Sequence, residues 1–463
     1  MPSSNANVVT KRSGSVREVL AFSAPLIVSN MSQSAMWVVD TAIMGHVGTA
    51  EQGAVGLGGV LVWALTCFFA GTMSVVNILV AQDFGAGRKD LGRHVRTGLV
   101  MIIPMTVAML ALSMLVPQAL GWLGCKDAVR PFAVTYIQIR VLSAPFVLAM
   151  FAISCYLRGV GDTITPMVMS LVANVVNALL AIVLVFGLLG SPKMGVAGAA
   201  WATAVAGTVE SLLYASVYLW GKSARTHGAR EWKTPSVQDL RRFVQLGTPI
   251  GMSWMFEMVS WTAFAAYAGT RAPVELAAHM VLFQVTGFCF MPAVAIGVGA
   301  STLVGQYLGA RRPDLAWRSA GRSLGLGVAY MSVVGGAMLL LRRPLVTAFN
   351  PDPAVVALGC TLALLAGSYQ PFDGFGIIAQ AVLRGAGKTS TPTIVMLGSG
   401  FVLFIPLVWI LGEYFGLGVT GAWIAALVHV VVVAGVLGVV VVRGKWRNAV
   451  PLSLTETPLP TPH

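Results

Sequence analysis

Leu157-Arg158-Gly159-Val160-Gly161-Asp162-Thr163-Ile164-Thr165-Pro166 returns later in the chain as Leu383-Arg384-Gly385-Ala386-Gly387-Lys388-Thr389-Ser390-Thr391-Pro392. Working outward from this pair, Leu79-Val80-Ala81-Gln82-Asp83-Phe84-Gly85-Ala86-Gly87-Arg88 reappears as Leu303-Val304-Gly305-Gln306-Tyr307-Leu308-Gly309-Ala310-Arg311-Arg312. Ala24-Pro25-Leu26 matches Thr248-Pro249-Ile250, and Gly195-Val196-Ala197-Gly198-Ala199 matches Gly418-Val419-Thr420-Gly421-Ala422. Each return falls about 225 residues further on, in the same order, so a whole domain is duplicated. In an apolar chain, duplication of this kind is how many transporters are built.

The chain has 463 residues, 56% hydrophobic and 10% charged. Soluble domains carry roughly 25% charged residues, so lipid is the main solvent here. Twelve apolar segments are each about 20 residues or longer, enough to cross the hydrocarbon. They run roughly over 18–45, 54–82, 96–117, 131–157, 163–189, 195–220, 239–269, 276–306, 319–341, 354–383, 389–412 and 418–442. Gly and Pro within them are compatible with membrane helices. The expected fold is an all-α integral membrane protein with twelve transmembrane helices in two pseudo-symmetric six-helix bundles, 18–220 and 239–443. An even number of spans per copy gives both copies the same orientation, related by an axis along the membrane normal. A cleft between the bundles is the expected place for a substrate.

A net charge of +13 would suggest nucleic acid in a soluble protein. Its distribution points elsewhere. Basic residues gather at the N-terminus (Lys11, Arg12, Arg17), after span 2 (Arg88, Lys89, Arg93, Arg96) and after span 8 (Arg311, Arg312, Arg318, Arg322). They recur between spans 6 and 7 (Lys222, Arg225, Arg230, Lys233, Arg241, Arg242) and after span 12 (Arg443, Lys445, Arg447). Stretches 42–54 and 412–420 hold none. This is the positive-inside bias, and it predicts a multi-pass cell-membrane protein with both termini cytoplasmic. Segment 1–17 reads as a cytoplasmic N-terminus, 221–238 as a cytoplasmic linker and 444–463 as a disordered tail. The first apolar segment contains Pro25 and has no small-residue cleavage site after it, so a retained helix is expected. Cys67, Cys125, Cys155, Cys289 and Cys360 have no paired spacing, and neither a disulfide framework nor a metal site of that kind is indicated.

Gly385-Ala386-Gly387-Lys388-Thr389 imitates the end of a phosphate-binding loop. The first glycine such a loop needs would stand at Val382, no strand precedes it, and the first copy carries Asp162 where Lys388 stands. It is a turn.

Three carboxylates fall well inside spans: Asp40 in span 1, Glu257 in span 7 and Asp373 in span 10. An ionisable residue at mid-membrane costs about 3 kcal/mol on insertion scales, so each needs a reason to be there. Their equivalents in the other copy are Phe264, Gln33 and Val147. The scaffold is symmetric and its acids are not. A carboxylate in such a cavity can take a proton, hold a sodium ion with neutral oxygen ligands, or pair with an organic cation. The alternative is an acid satisfied by a neighbour that only fixes packing.

Asn174 and Asn177 lie one turn apart in span 5 and, with Thr203 in span 6, are placed to hydrogen-bond Asp40; interhelical packing is the competing role. Tyr369 lies one turn before Asp373 on the same face, as a hydroxyl ligand, an aromatic wall or core. Arg140, Glu210, His279 and His429 are read as structural or interfacial. Pro25 and Pro249, in the first helix of each copy, permit kinks that suit either a hinge or a static bend.

At these residues the chain resembles the multidrug and toxic compound extrusion (MATE) family, NorM-type branch, over about 15–445. The resemblance rests on Ala24-Pro25, Asp40-Thr41-Ala42-Ile43-Met44-Gly45, the Gly-containing turns after spans 2 and 8, both Leu-Arg-Gly turns, and Gly195-Val196-Ala197-Gly198-Ala199-Ala200-Trp201-Ala202-Thr203. It implies export of organic cations in exchange for sodium ions or protons, with no cofactor. It also implies a coupling role for Asp40 and a cation-binding pair, possible for Na+, at Glu257 and Asp373. Asn177 and Thr203 match the family's span-5 asparagine and span-6 threonine. One turn after that asparagine the family usually has Asp or Asn, whereas this chain has Ala181; Asn174 is the candidate substitute. A monomer surrounded by lipid is expected. A lipid-linked precursor flippase is the second reading, but it would favour basic residues for phosphate. An integral-membrane enzyme would need a clustered His/Asp or nucleophile motif, and none is found in the sequence.

Overall fold

In the computed structural model, residues 13–122, 129–221 and 233–448 are described. All regular elements among them are helical. Twelve long helices appear in order: α1 (Val16–Gly45), α2 (Thr49–Gly85), α3 (Gly92–Gln118), α4 (Arg130–Leu142 with Ala144–Val160), α5 (Ile164–Phe186) and α6 (Gly195–Trp220) in the first copy. The second copy supplies α7 (Val237–Gly269), α8 (Pro273–Gly309), α9 (Pro313–Leu340), α10 (Pro353–Gly385), α11 (Ser390–Tyr414) and α12 (Gly418–Val442). Nine of these are each apolar and long enough to span a bilayer, and the bent α4 makes a tenth. The remaining two, α1 and α7, are 30 and 33 residues long but carry more polar residues. They are the helices that hold Asp40 and Glu257.

The duplicated Leu-Arg-Gly-x-Gly stretch terminates α4 and α10 by the same means. Gly161 and Gly387 take φ values of 98° and 79°, left-handed conformations in which a side chain is strained. Asp162 N–H then reaches back to the Leu157 carbonyl, and Lys388 N–H to the Leu383 carbonyl, both at 2.9 Å. The earlier glycine of each copy serves packing instead. A Cβ on Gly159 would lie 2.7 Å from Val80 Cγ1, and one on Gly385 would run into the Ser301 carbonyl. One glycine admits a neighbouring helix and the other ends its own.

Three features depart from uniform spans. The predicted span 131–157 is broken at Ser143 and bends by 52°; Pro145 follows, and proline disfavours helix at the residue before it. Helix α2 is interrupted at Ser74, whose hydroxyl donates to the Gly71 carbonyl at 2.6 Å. Helix α11 contains two wider π-type stretches, Gly398–Phe404 and Ile410–Tyr414, either side of a short α segment that includes Pro406.

The chain forms two compact units. The first gathers the described residues of 1–27, 81–87 and 252–463; the second gathers those of 28–80 and 88–251. These partition the chain differently from the sequence repeats. The change of unit along α1 and along α7 falls just past Pro25 and Pro249. In the first unit α10 packs on α8, α9 and α12; in the second, α5 packs on α6, and α4 on α2 and α6. The first unit's core centres on Phe264, Trp423, Tyr369 and Phe404.

The expectation of disorder from 444 onward is corrected for its beginning. Lys445–Asn448 form a short 3-10 turn in which Trp446 is buried and donates to the Val441 carbonyl at 3.0 Å, while Arg447 lies 4.5 Å from the Trp317 ring. An indole with an apolar partner and a cation over an aromatic face are what hold it. Cys67 and Cys155 are buried thiols, and Cys289 and Cys360 are half-buried. Lys11, Arg12, Cys125, the linker from Lys222 to Arg230 and the tail from 449 lie outside the described residues.

Candidate functional site

In the second unit, α5 brings Asn177 against α1. Its amide donates to Asp40 Oδ1 at 2.9 Å, while its own amide oxygen is buried without a hydrogen-bond partner. Asn177 is completely buried, so that oxygen is an unused acceptor beside a carboxylate. Tyr136 and Arg140, one turn apart on α4, complete the surroundings. Arg140 lies within electrostatic range of Asp40, and Tyr136 is within hydrogen-bond range of both Arg140 and Thr203.

Two expected partners of Asp40 do something else. Asn174 donates to the Ser32 hydroxyl, because it stands one turn earlier on α5 and meets an earlier part of α1. Thr203 donates to the Ala199 carbonyl of its own helix at 3.0 Å and neighbours Tyr136. Ala181 is buried and offers no oxygen. Asn177 is therefore the hydrogen-bonding neighbour of Asp40, with Tyr136 and Arg140 in electrostatic range.

In the first unit, α7 and α10 bring Glu257 and Asp373 within electrostatic range of each other. Tyr369 lies one turn before Asp373, in hydrogen-bond range of Thr286, and stacks on Trp423 with ring centroids 6.4 Å apart. Arg384, three turns beyond Asp373 at the end of α10, approaches the Glu257 side of this group. Its Nη2 donates to Ser253 Oγ at 2.7 Å and to Gln380 Oε1 at 2.9 Å, and Glu257 is its electrostatic partner. Ser253 and Glu257 are one turn apart on α7, so both present to the same side.

Arg384 and Tyr136 were not singled out from the sequence. The signal for Arg384 was present: an arginine at the end of an apolar helix, repeated as Arg158 in the first copy. Reading the motif as a turn hid it. Arg158 itself has Glu210 as its electrostatic partner, on α6 rather than α7. Arg140, read as structural, belongs to the Asp40 surroundings. His279 packs among Phe264, Phe283 and Trp423, with both ring nitrogens lacking a hydrogen-bond partner, and His429 stacks on Phe404.

The fold and these sites can be set beside known proteins. The MatE family model matches residues 25–183 and then again 249–410, which is more than two thirds of the chain and both of its copies. The chain belongs to the MatE family. Among its relatives, a probable multidrug resistance protein NorM from Bradyrhizobium diazoefficiens is 30% identical, covering 91% of each chain. Another protein of that name from Chromobacterium violaceum is 29% identical, over 91% of this chain and 92% of its own. The crystal structure of the eukaryotic MATE transporter AtDTX14 superposes with a TM-score of 0.86 at 19% identity, over 96% of this chain and 98% of its own. The chain is accordingly a multi-pass membrane transporter of this family rather than an enzyme.

Proposed function

We propose that this MatE-family chain exports amphipathic organic cations in exchange for sodium ions or protons. The coupling carboxylates are Asp40, Glu257 and Asp373, and Asn177, Thr203, Tyr369 and Asn174 are supporting polar residues of the substrate cavity. What chiefly supports this reading is the placing of Glu257 and Asp373, on α7 and α10, within electrostatic range of each other in the interior of the first unit. Two acids within electrostatic range of each other are costly in such surroundings unless a cation is shared between them. Asp40 with the unused Asn177 oxygen is a smaller version of the same arrangement. An inbound proton or sodium ion that occupies these oxygens lowers the affinity for an organic cation, and the reverse holds equally, which is the thermodynamic content of coupling. In this proposal the two repeats, 18–220 and 239–443, give alternating access, and the working unit is a single chain in the cell membrane.

The test uses proteoliposomes loaded with an ethidium-like cation, driven first by a sodium gradient alone and then by a pH gradient alone. Asp40→Asn, Glu257→Gln and Asp373→Asn are each expected to slow efflux at least about tenfold under the effective gradient, the loss expected for one charged contact of about 1.4 kcal/mol. Wild-type rates in all three variants under both gradients would sink the assignment. The gradient that drives wild type identifies the ion.

The basic turns after α2 and α8 support an orientation with both termini in the cytoplasm. A fluorescent reporter that matures only in the cytoplasm, fused after His463, is expected to glow. A dark but inserted fusion would reverse the topology.

A further inference from the structure

At the start of α9, Pro313, Asp314, Trp317 and Arg318 line an open pocket of about 530 Å³ together with Arg447, which comes from the turn after α12. Both helices are membrane-length, so the pocket lies where two spans leave the hydrocarbon. Trp446 is buried, donates to the Val441 carbonyl at 3.0 Å and lies against Trp317, with ring centroids 6.0 Å apart. Trp317 in turn holds the Arg447 guanidinium, whose carbon lies 4.5 Å from the ring centroid. Among the described residues, Arg447 donates only from Nε, to the Gly444 carbonyl at 3.4 Å, which leaves its two Nη groups available. Asp314 does not cancel these charges, because Arg312 takes both of its oxygens, at 3.0 and 2.9 Å. Arg318 has no ion-pair or hydrogen-bond partner among the described residues. The lining therefore carries two uncompensated positive charges. One and two turns after Trp317, on the same face of α9, stand Gly321 and Gly325, and a Cβ on either would meet nothing within 4 Å. A smooth track of about 12 Å thus runs from the pocket into the membrane-spanning part of the helix.

We propose that this pocket binds the phosphate of an anionic phospholipid, with Arg318 and Arg447 on the phosphate oxygens and one acyl chain along Gly321 and Gly325. Two guanidinium groups suit one phosphodiester, because each presents paired N–H donors in the geometry that phosphate oxygens accept. Trp317 and Trp446 match the preference of indoles for the headgroup level of a bilayer. A basic pocket at the ends of membrane helices attracts a lipid of net negative charge. A zwitterionic lipid brings its own ammonium group to the same arginines and loses that attraction. Free phosphate would satisfy the arginines equally but makes no use of the glycine track, and that difference separates the two sources. The inference is independent of the export reading, since it concerns binding at another place in the unit.

In the experiment, the purified full chain in a nonionic detergent is titrated with dioctanoyl-phosphatidylglycerol. The apparent dissociation constant is read from the rise in melting temperature. Dioctanoyl-phosphatidylcholine and inorganic phosphate are titrated in parallel. Wild type is expected to bind phosphatidylglycerol at least about tenfold tighter than either. Arg318→Gln combined with Arg447→Gln is expected to weaken that binding by at least about tenfold. Arg342→Gln combined with Arg343→Gln, which removes two exposed arginines between α9 and α10, is expected to stay within about threefold of wild type. Gly321→Leu keeps both pocket arginines and blocks the track. It is expected to weaken phosphatidylglycerol by at least about threefold and to leave inorganic phosphate unchanged. A wild type that binds the two lipids alike overturns the proposal whether or not any variant folds. Inorganic phosphate binding as tightly as phosphatidylglycerol would assign the pocket to a free anion and overturn the lipid. So would a folded Arg318→Gln/Arg447→Gln protein that binds as wild type does. An equal loss in the Arg342–Arg343 control would reduce the effect to overall charge and overturn it as well.

Discussion

On α5, Asn177 donates to the Asp40 carboxylate at 2.9 Å, whereas Asn174, one turn earlier, donates to the neutral Ser32 hydroxyl. Hydrogen bonds to charged groups contribute about 1.5–3 kcal/mol, and neutral ones about 0.5–1.5 kcal/mol. Asn177→Ala is therefore expected to slow organic-cation efflux about tenfold or more, and Asn174→Ala to slow it by less than about threefold. Ethidium efflux from reconstituted vesicles ranks the two directly, and the opposite order would mean that Asp40 is not positioned through Asn177. The sequence made both asparagines visible, because a polar residue in an apolar helix stands out by its cost. It did not distinguish them. Helical periodicity gives the face a residue occupies, but the level at which two helices cross decides whether a neighbour is Ser32 or Asp40. The same limit hid Tyr136 and Arg384, whose importance lies in what they face on other helices.

The repeated turns show what a helix end demands. Helix α2 ends with Gly85 and α8 with Gly309, and within the first unit the two ends are so close that side chains have no room. A Cβ on Gly85 would strike the Gln306 carbonyl, and one on Gly309 would strike the Gln82 carbonyl. Gln82 also donates to the Gly385 carbonyl at 2.9 Å, tying a third helix end to the contact. Gly309→Val is expected to prevent recovery of folded protein, or to lower the melting temperature in detergent by several degrees, because a backbone carbonyl cannot move aside as a flexible side chain can. Gly53→Ala in α2 is the control: nothing lies within 4 Å of its new methyl group. It is expected to be neutral or stabilising by up to about 1 kcal/mol through a better helix former. If both variants melted with wild type, the close approach at Gly309 would be wrong. These glycines were legible as repeats, since duplication marks them, though their reciprocal packing was not. The break in α4 had a signal in Ser143-Ala144-Pro145 that span counting passed over. The π-type stretches of α11 had no comparable signal, because an apolar run looks alike at 3.6 residues per turn and at a wider pitch.

At the scale of the whole molecule, twelve helices were readable because a bilayer imposes a length on every span and exacts a penalty for every charge. The way segments group was not readable, since duplication suggests that each copy packs only with itself. The contacts are otherwise: residues 16–27 of α1 and 81–87 of α2 come from the first copy yet belong to the unit built on 252–448. Tyr307 on α8 holds Glu18 of α1 through its hydroxyl at 2.8 Å, and the Gly14 N–H donates to the same hydroxyl at 3.2 Å. Removing the first copy would leave the buried Tyr307 hydroxyl without Glu18 and strip cover from the closely packed ends of α8 and α10. Losing such partners from buried polar groups costs about 1–3 kcal/mol each, before any lost packing is counted. The second copy expressed alone, as residues 233–463, is therefore expected to insert but to elute as aggregate in size-exclusion chromatography. Co-expression with residues 1–221 should restore a monodisperse species that contains both fragments and melts within a few degrees of the intact chain. A monodisperse, cooperatively melting 233–463 on its own would show that the copy is self-sufficient, and that α1 and α2 add nothing essential to the unit in which their segments lie.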